Sequence, residues 1–265
     1  MNILDTIIKS KQQEVAARKA DVPVSELEDM PLFRKTCHSL VRSLQDPLAT
    51  GIIAEFKRRS PSKGIINAHA QVVEVTEAYA AHGASGISVL TDKEFFGGDL
   101  EDLVAANRNH IPLLRKDFMI DEYQLTEAKA YGADVILLIA ACLSPVRVKE
   151  LAIAAKQLGL EVLLEIHNEN ELAHICDQVD MVGVNNRDLK TFRVDIQVSL
   201  DLVTKIPAAK PAVAESGISD TDTIVTLRKA GFKGFLIGEN FMKQASPSVA
   251  FAEFVTQLKA KQHAH

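Results

Sequence analysis

The stretch EAKAYGADVILLIAA, residues 127–141, runs from the tail of a helix through one glycine into an apolar strand. Gly132 stands where a helix C-terminus needs a residue that tolerates the left-handed conformation. Val135 to Ile139 are then apolar at every position rather than alternating, the mark of a strand covered on both faces, as in a parallel sheet. Three other stretches carry the same beat: AYAAHGASGISVLTD at 78–92, AAKQLGLEVLLEIHN at 154–168 and TLRKAGFKGFLIGEN at 226–240. Gly83, Gly159 and Gly231 take the place of Gly132 in them. Helix leads to strand through a short loop, repeatedly.

Filling the gaps between these stretches gives eight strands: Gly51–Phe56, Gly86–Thr91, Pro112–Arg115, Val135–Ala140, Glu161–Glu165, Met181–Val184, Ala212–Ala214 and Gly234–Ile237. They start roughly every 20 to 35 residues, the spacing of a strand plus a crossover helix. Between them apolar residues recur at helical spacing, as in Leu151, Ala154, Ala155 and Leu158. An open sheet of this size would leave edges to protect, so the pattern predicts a closed α/β fold, a (β/α)8 TIM barrel. Residues 1–265 then form one barrel domain, of which 1–50 is an N-terminal helical extension outside the repeat. The extension carries Ile3, Leu4, Ile7 and Ile8 on one side, a break at Val22-Pro23 and a second helix near Pro31–Leu44. It either packs over one end of the barrel or borders the site, and the residues leave both readings open.

Composition narrows the function. With 47% hydrophobic residues the chain of 265 residues has the material for a core and is not a disordered protein. Its formal charge of −5, without an extended block of Lys or Arg, leaves no electrostatic footprint for a nucleic acid or an anionic membrane. The N-terminus alternates apolar and charged residues and is not a signal peptide, and no run approaches the length of a membrane span. Cys37, Cys142 and Cys176 lack the close pairing of a zinc or redox motif and read as reduced packing residues. A cytoplasmic protein, monomeric or a weak homo-oligomer, is expected.

In a barrel of this kind chemistry sits at the C-terminal ends of the strands. The first strand ends in IIAEFKRRSPSKG, with Glu55 and Lys57 two apart and therefore on one face. The third ends Arg115-Lys116-Asp117, the fifth in Glu165, and the sixth Asn185-Asn186-Arg187-Asp188. The seventh ends Glu215-Ser216-Gly217 and the eighth Ile237-Gly238-Glu239. Glu55 and Glu165 interrupt apolar strands, where an ionised group costs free energy unless partners compensate it. Lys57, Lys116 and Arg187 are those partners if they converge on one mouth.

Ser216, Gly217 and Gly238 match the common barrel phosphate site, where backbone N–H groups and a short helix N-terminus hold the anion. A small phosphorylated molecule is the expected substrate. No metal or nucleotide cofactor is expected: no histidines pair at ligand spacing, and no Gly-x-Gly-x-x-Gly links a strand to a helix. His167, after the fifth strand, reads as a surface residue. A lysine among other cations and partly desolvated has its pKa pushed down and becomes a usable acid, and a carboxylate beside it acts as base. Such groups around a phosphate anchor suit isomerisation, aldol cleavage, or ring closure with loss of water. A non-catalytic phosphate-binding barrel would not need them.

The run Glu55-Phe56-Lys57-Arg58-Arg59-Ser60-Pro61-Ser62-Lys63-Gly64 resembles the Glu-x-Lys-x-x-Ser-Pro-Ser signature of the indole-3-glycerol-phosphate synthase family. Further matches follow in the family's order: Leu114 to Phe118, Leu164-Glu165, Gly183 to Leu189, and Ala214 to Ile218. The resemblance covers essentially the whole chain. It implies a cofactor-free carboxy-lyase of tryptophan biosynthesis that closes the pyrrole ring of 1-(2-carboxyphenylamino)-1-deoxyribulose 5-phosphate. Carried over by position, Lys116 is the general acid, Glu165 the base of later steps, and Lys57 a carboxylate ligand and second proton donor. Glu55 orients the two lysines, while Asn185 and Arg187 bind the substrate. Ser60 holds the anthranilate end between the apolar walls Phe118 and Leu189. Ser216, Gly217, Gly238 and the backbone of Glu239 form the phosphate site, which requires the Glu239 carboxylate to turn away from the anion.

Overall fold

The structure, a computed structural model, describes residues 3–262. Eight parallel strands close into a barrel in which each pairs with its neighbours in sequence. They are β1 (Ile52–Phe56), β2 (Gly86–Leu90), β3 (Leu113–Lys116), β4 (Val135–Ile139), β5 (Glu161–Ile166), β6 (Met181–Asn185), β7 (Ala212–Glu215) and β8 (Gly234–Ile237). The ring is shut by β1, which pairs with β8 through Ile52↔Phe235 and with β2 through Glu55↔Ser88. Gly83, Gly132, Gly159 and Gly231 all take positive φ at the ends of their helices, as the sequence beat requires. This is the predicted TIM barrel. Several strands reach one residue further than the apolar pattern suggests, because Leu90↔Lys116 and Asn185↔Glu215 still continue the ladder. The polar strand ends are thus held by the sheet rather than by loops.

Alternation along each strand sorts the side chains into two cores. Ile53, Leu114, Val135, Leu137, Ile139, Leu163, Met181, Val213 and Leu236 fill the barrel interior. Residues of opposite parity, such as Ile52, Ile136, Val162 and Phe235, pack outward against the helices in the larger cluster. At about 25 cal/mol per Å2 of buried apolar surface, this two-sided burial supplies the main driving force for closure. Continuing the inward parity toward the strand ends leaves Glu55, Lys116, Glu165, Asn185 and Glu215 facing the same interior.

The extension runs from one end of the barrel to the other. Its first helix, Ile3–Asp21, lies at the mouth, and a short helix, Leu40–Gln45, inserts Leu40 and Leu44 into the bottom of the inner core. The expected second helix over Pro31–Leu44 is corrected by the structure: a 3-10 turn, Pro31–Arg34, is separated from the helix at Leu40 by extended chain. The extended piece is held instead by the barrel floor, where His38 N–H donates to Asp134 at 2.9 Å and Lys35 pairs with the same carboxylate. Ser39 then caps the new helix by accepting from Arg42 N–H. Among the described residues, no helix is long and apolar enough to cross a membrane.

Candidate active site

A cavity of about 480 Å3 opens at the C-terminal ends of the strands, within the range of small-molecule sites. Every site residue that the family resemblance implies borders it: Glu55, Lys57, Ser60, Lys116, Phe118, Glu165, Asn185, Arg187, Leu189, Ser216, Gly217, Gly238 and Glu239. The floor is charged. Lys57 Nζ lies 2.6 Å from Glu55 Oε1, and Lys116 Nζ sits between Glu165 Oε2 at 3.2 Å and Glu215 Oε2 at 3.6 Å. Asn185 donates its amide to Glu165 Oε1 at 3.1 Å and accepts the Arg187 backbone N–H at 3.0 Å.

Two glycines make room for this cluster. A Cβ on Gly183 would lie 2.1 Å from Glu215 Oε1, and one on Gly238 would lie 2.5 Å from Glu55 Oε1. Each buried carboxylate therefore occupies space that a neighbouring strand has left open.

Electrostatics overturns one expectation. Lys116 is surrounded by carboxylates, not by cations: burial acts to lower its pKa, but Glu165, Glu215 and Glu55 together raise it. Its neighbours favour the charged ammonium in the resting site. Glu165 is correspondingly held below the usual carboxylate range, because Lys116, His167 and Asn185 outweigh the effect of burial. Glu215 goes the other way, raised by burial and by the Glu165 charge against the opposing pull of Lys116. The two neighbouring carboxyls are thus pushed in opposite directions, Glu165 toward its charged form and Glu215 toward its protonated one.

Loops form the walls. After β1 a tight ladder, Arg59–Ser60 against Gly64–Ile65, folds over the opening, with the Ser60 and Ser62 hydroxyls 3.4 Å apart. Phe118 and Phe96 lie with ring centroids 6.1 Å apart on one side, and Leu189 and Phe192 line another. Ser216 and Gly217 both take positive φ, 66° and 78°, so the chain turns sharply as it leaves β7. Beside them Gly238 begins the short helix Glu239–Met242. The Glu239 carboxylate is drawn to the rim by Arg187 at 3.5 Å and Lys63 at 3.8 Å.

At three points the structure adds to the sequence reading, decides it or corrects it. Glu215 was visible only as a strand terminus, and its inward parity one residue past an apolar run was the available signal. Ile3, Leu4 and Ile7 of the extension line the cavity, so this segment borders the site as well as covering the barrel. His167 is corrected from a surface residue to a largely buried one: its ring nitrogens lie 3.2 Å from Glu165 and 3.3 Å from Glu171.

Fold and site together define a (β/α)8-barrel enzyme with an acid–base cluster at its mouth. Among solved structures the barrel is similar to 3-hexulose-6-phosphate synthase from Salmonella typhimurium, with a TM-score of 0.61 at 14% identity over 79% of this chain and 99% of that one. At such identity the likeness shows the fold alone. The profile of the indole-3-glycerol phosphate synthase family matches residues 4–254. The chain is 46% identical to the indole-3-glycerol phosphate synthase of Bacteroides thetaiotaomicron over 97% of its own length and 99% of the relative's. It is 45% identical to that of Chromobacterium violaceum over 95% and 97%. The chain belongs to the indole-3-glycerol phosphate synthase family, carboxy-lyases of tryptophan biosynthesis.

Proposed function

We propose that this chain converts 1-(2-carboxyphenylamino)-1-deoxyribulose 5-phosphate to indole-3-glycerol phosphate, carbon dioxide and water by Lys/Glu acid–base catalysis. The observation that carries the reading is the Lys116 ammonium set between Glu165 and Glu215, with a second Lys–Glu pair, Lys57 and Glu55, in the same cavity. Ring closure, decarboxylation and dehydration together take up one proton: two are donated to oxygen and one is removed from carbon. A site with two ammonium groups and an ionised carboxylate has that inventory.

As the carboxylate-bearing ring carbon attacks the ketone, the developing alkoxide is more basic than an amine and takes a proton from Lys116. Loss of carbon dioxide restores the aromatic ring. Lys57 protonates the departing hydroxyl, and Glu165 removes the last proton to complete the pyrrole. Glu215, pushed toward its protonated form beside Lys116, recharges the amine after the first step. Ser216, Gly217, Gly238 and the Glu239 N–H bind the phosphate, while Phe118 and Leu189 enclose the aromatic ring above Ser60. Arg187 grips the substrate's carboxylate, with its guanidinium steadied by Glu239 at 3.5 Å.

Arg187→Lys is expected to raise KM about tenfold, because an ammonium cannot offer the planar fork that binds a carboxylate through two parallel bonds. Unchanged kcat/KM in that variant would remove Arg187 from the binding set. The reaction itself is tested by mixing purified protein with the substrate, with chelator and without added cofactor, and following indole fluorescence. The chain contains no Trp, so the background is low. Growth of the product signal is expected; binding of the substrate without turnover would instead favour a non-catalytic barrel.

A further inference from the structure

His167 does not line the cavity; it stands behind Glu165 at the end of β5. Nε2 is sealed from solvent and lies 3.2 Å from Glu165 Oε1, at ion-pair distance but without the alignment of a hydrogen bond. Nδ1 lies 3.3 Å from Glu171 Oε2, and the His167 backbone N–H donates to the same oxygen at 2.7 Å. A neutral imidazole would turn a lone pair toward one of these two carboxylates, an arrangement that favours a proton on both nitrogens. The ring is wedged between the site carboxylate and a second one outside the site.

We infer that His167 is a positioning residue for Glu165, an imidazolium that fixes Oε1 from behind so that Oε2 stays on Lys116 and the carboxylate stays charged. The inference rests on the proposed role of Glu165 as base and extends it to a residue that touches no substrate. Both oxygens of Glu165 are then accounted for, since Oε1 accepts from Asn185 and faces the imidazole charge while Oε2 pairs with Lys116. Glu171 anchors the imidazole in turn and is itself tied to Asn168 at 2.9 Å. The 3-10 helix that carries Glu171, Glu169–His174, is fastened by His174 Nε2 to the Leu143 carbonyl at 2.9 Å.

The groups facing this assembly agree with a charged ring. Burial opposes protonation of His167, but Glu165 and Glu171 push its pKa up to about 10. From the turn after β4, Cys142 contributes a neutral thiol, pushed up to about 12 by burial, Glu165 and Glu171. Across the cavity Lys116 and Glu215 face Glu165, not the ring. The imidazolium lowers the Glu165 pKa, so removing it raises that pKa and moves the acidic limb of the kcat profile to higher pH.

The test compares His167→Gln, which keeps a side-chain donor without the charge, with His167→Ala. In both the acidic limb of kcat is expected to rise by about one pH unit, with kcat near neutrality lower by roughly tenfold and KM within about threefold. A purely structural role would lower Tm in the alanine variant and leave the limb in place in both, which would overturn the inference. Nitrogen-15 NMR of the wild-type imidazole supplies a readout that needs no turnover. Both ring nitrogens are expected to be protonated at pH 8, and a neutral ring there would also overturn it. An inactive wild type with a charged His167 would refute the reaction and leave the charged clamp standing.

Discussion

Lys116→Ala is expected to lower kcat on the order of 1,000-fold while KM stays within about threefold, because the lost group acts on charge that appears only in the transition state. The ground-state substrate offers this ammonium a neutral ketone, a weak acceptor. In the transition state the same oxygen becomes an alkoxide, and a fixed cation in a buried site is worth most there. The carboxylates that surround Lys116 raise its pKa and so favour the charged ammonium that carries the proton. Arginine should not rescue the variant, since its guanidinium holds its protons too tightly and its fork does not fit between Glu165 and Glu215. Single-turnover measurement of indole fluorescence separates this chemical defect from slow product release. Turnover within tenfold of wild type would move the acid role elsewhere, with Lys57 the next group to test.

The barrel was legible because its signals are local and repeated. A glycine after each of four helices, and strands apolar at successive positions, report backbone conformation and two-sided burial directly. The site was legible for a related reason: in a parallel barrel every strand delivers its C-terminal end to one place, so polar strand ends found separately in the sequence must meet. What failed was the sign of the field around Lys116. Sequence neighbours such as Arg115 suggest a cationic setting, but alternation sends Arg115 outward, where it pairs with Asp117 at 3.0 Å and Glu127 at 2.8 Å. The residues that do face Lys116 come from β5 and β7, distant in sequence. His167 was misread likewise, since nothing in its local pattern announces that Glu171, one turn on, folds back onto the ring. Lys11 is the extreme case. It sits in the polar run Ser10-Lys11-Gln12-Gln13, yet its side chain is 1% exposed.

Lys11→Met is accordingly expected to destabilise the fold by about 3–5 kcal/mol at pH 7, the usual cost of removing one member of a buried charge cluster. Lys11 Nζ lies 2.9 Å from both Asp92 and Asp117 and 2.8 Å from Glu14. Methionine fills the volume but leaves the two buried aspartates short of a cation. Asp117 keeps Arg115 and a hydrogen bond from Thr91 at 2.7 Å, so Asp92 bears most of the loss. At roughly 2–4 °C per kcal/mol for a chain of this size, Tm should fall by about 10 °C. The effect carries a pH signature. Burial acts to raise the Asp117 pKa, but Lys11 and Arg115 depress it below its unfolded value. A depressed carboxylate contributes stability above its unfolded pKa of about 3.9, and that contribution fades as pH falls through the folded pKa. Lys11 itself, raised above its unfolded value, contributes fully below about 10.4 and loses its share only at higher pH. The gap between wild type and variant should therefore be flat between about pH 6 and 9 and narrow below about pH 5, where the variant's carboxyls take up protons sooner. Adding Asp92→Asn to Lys11→Met should recover part of the loss at pH 7 by removing the charge left unpaired. Thermal unfolding at pH 7 and pH 4 decides the matter: an equal gap at both would mean that packing, not charge, fastens the extension to the mouth of the barrel.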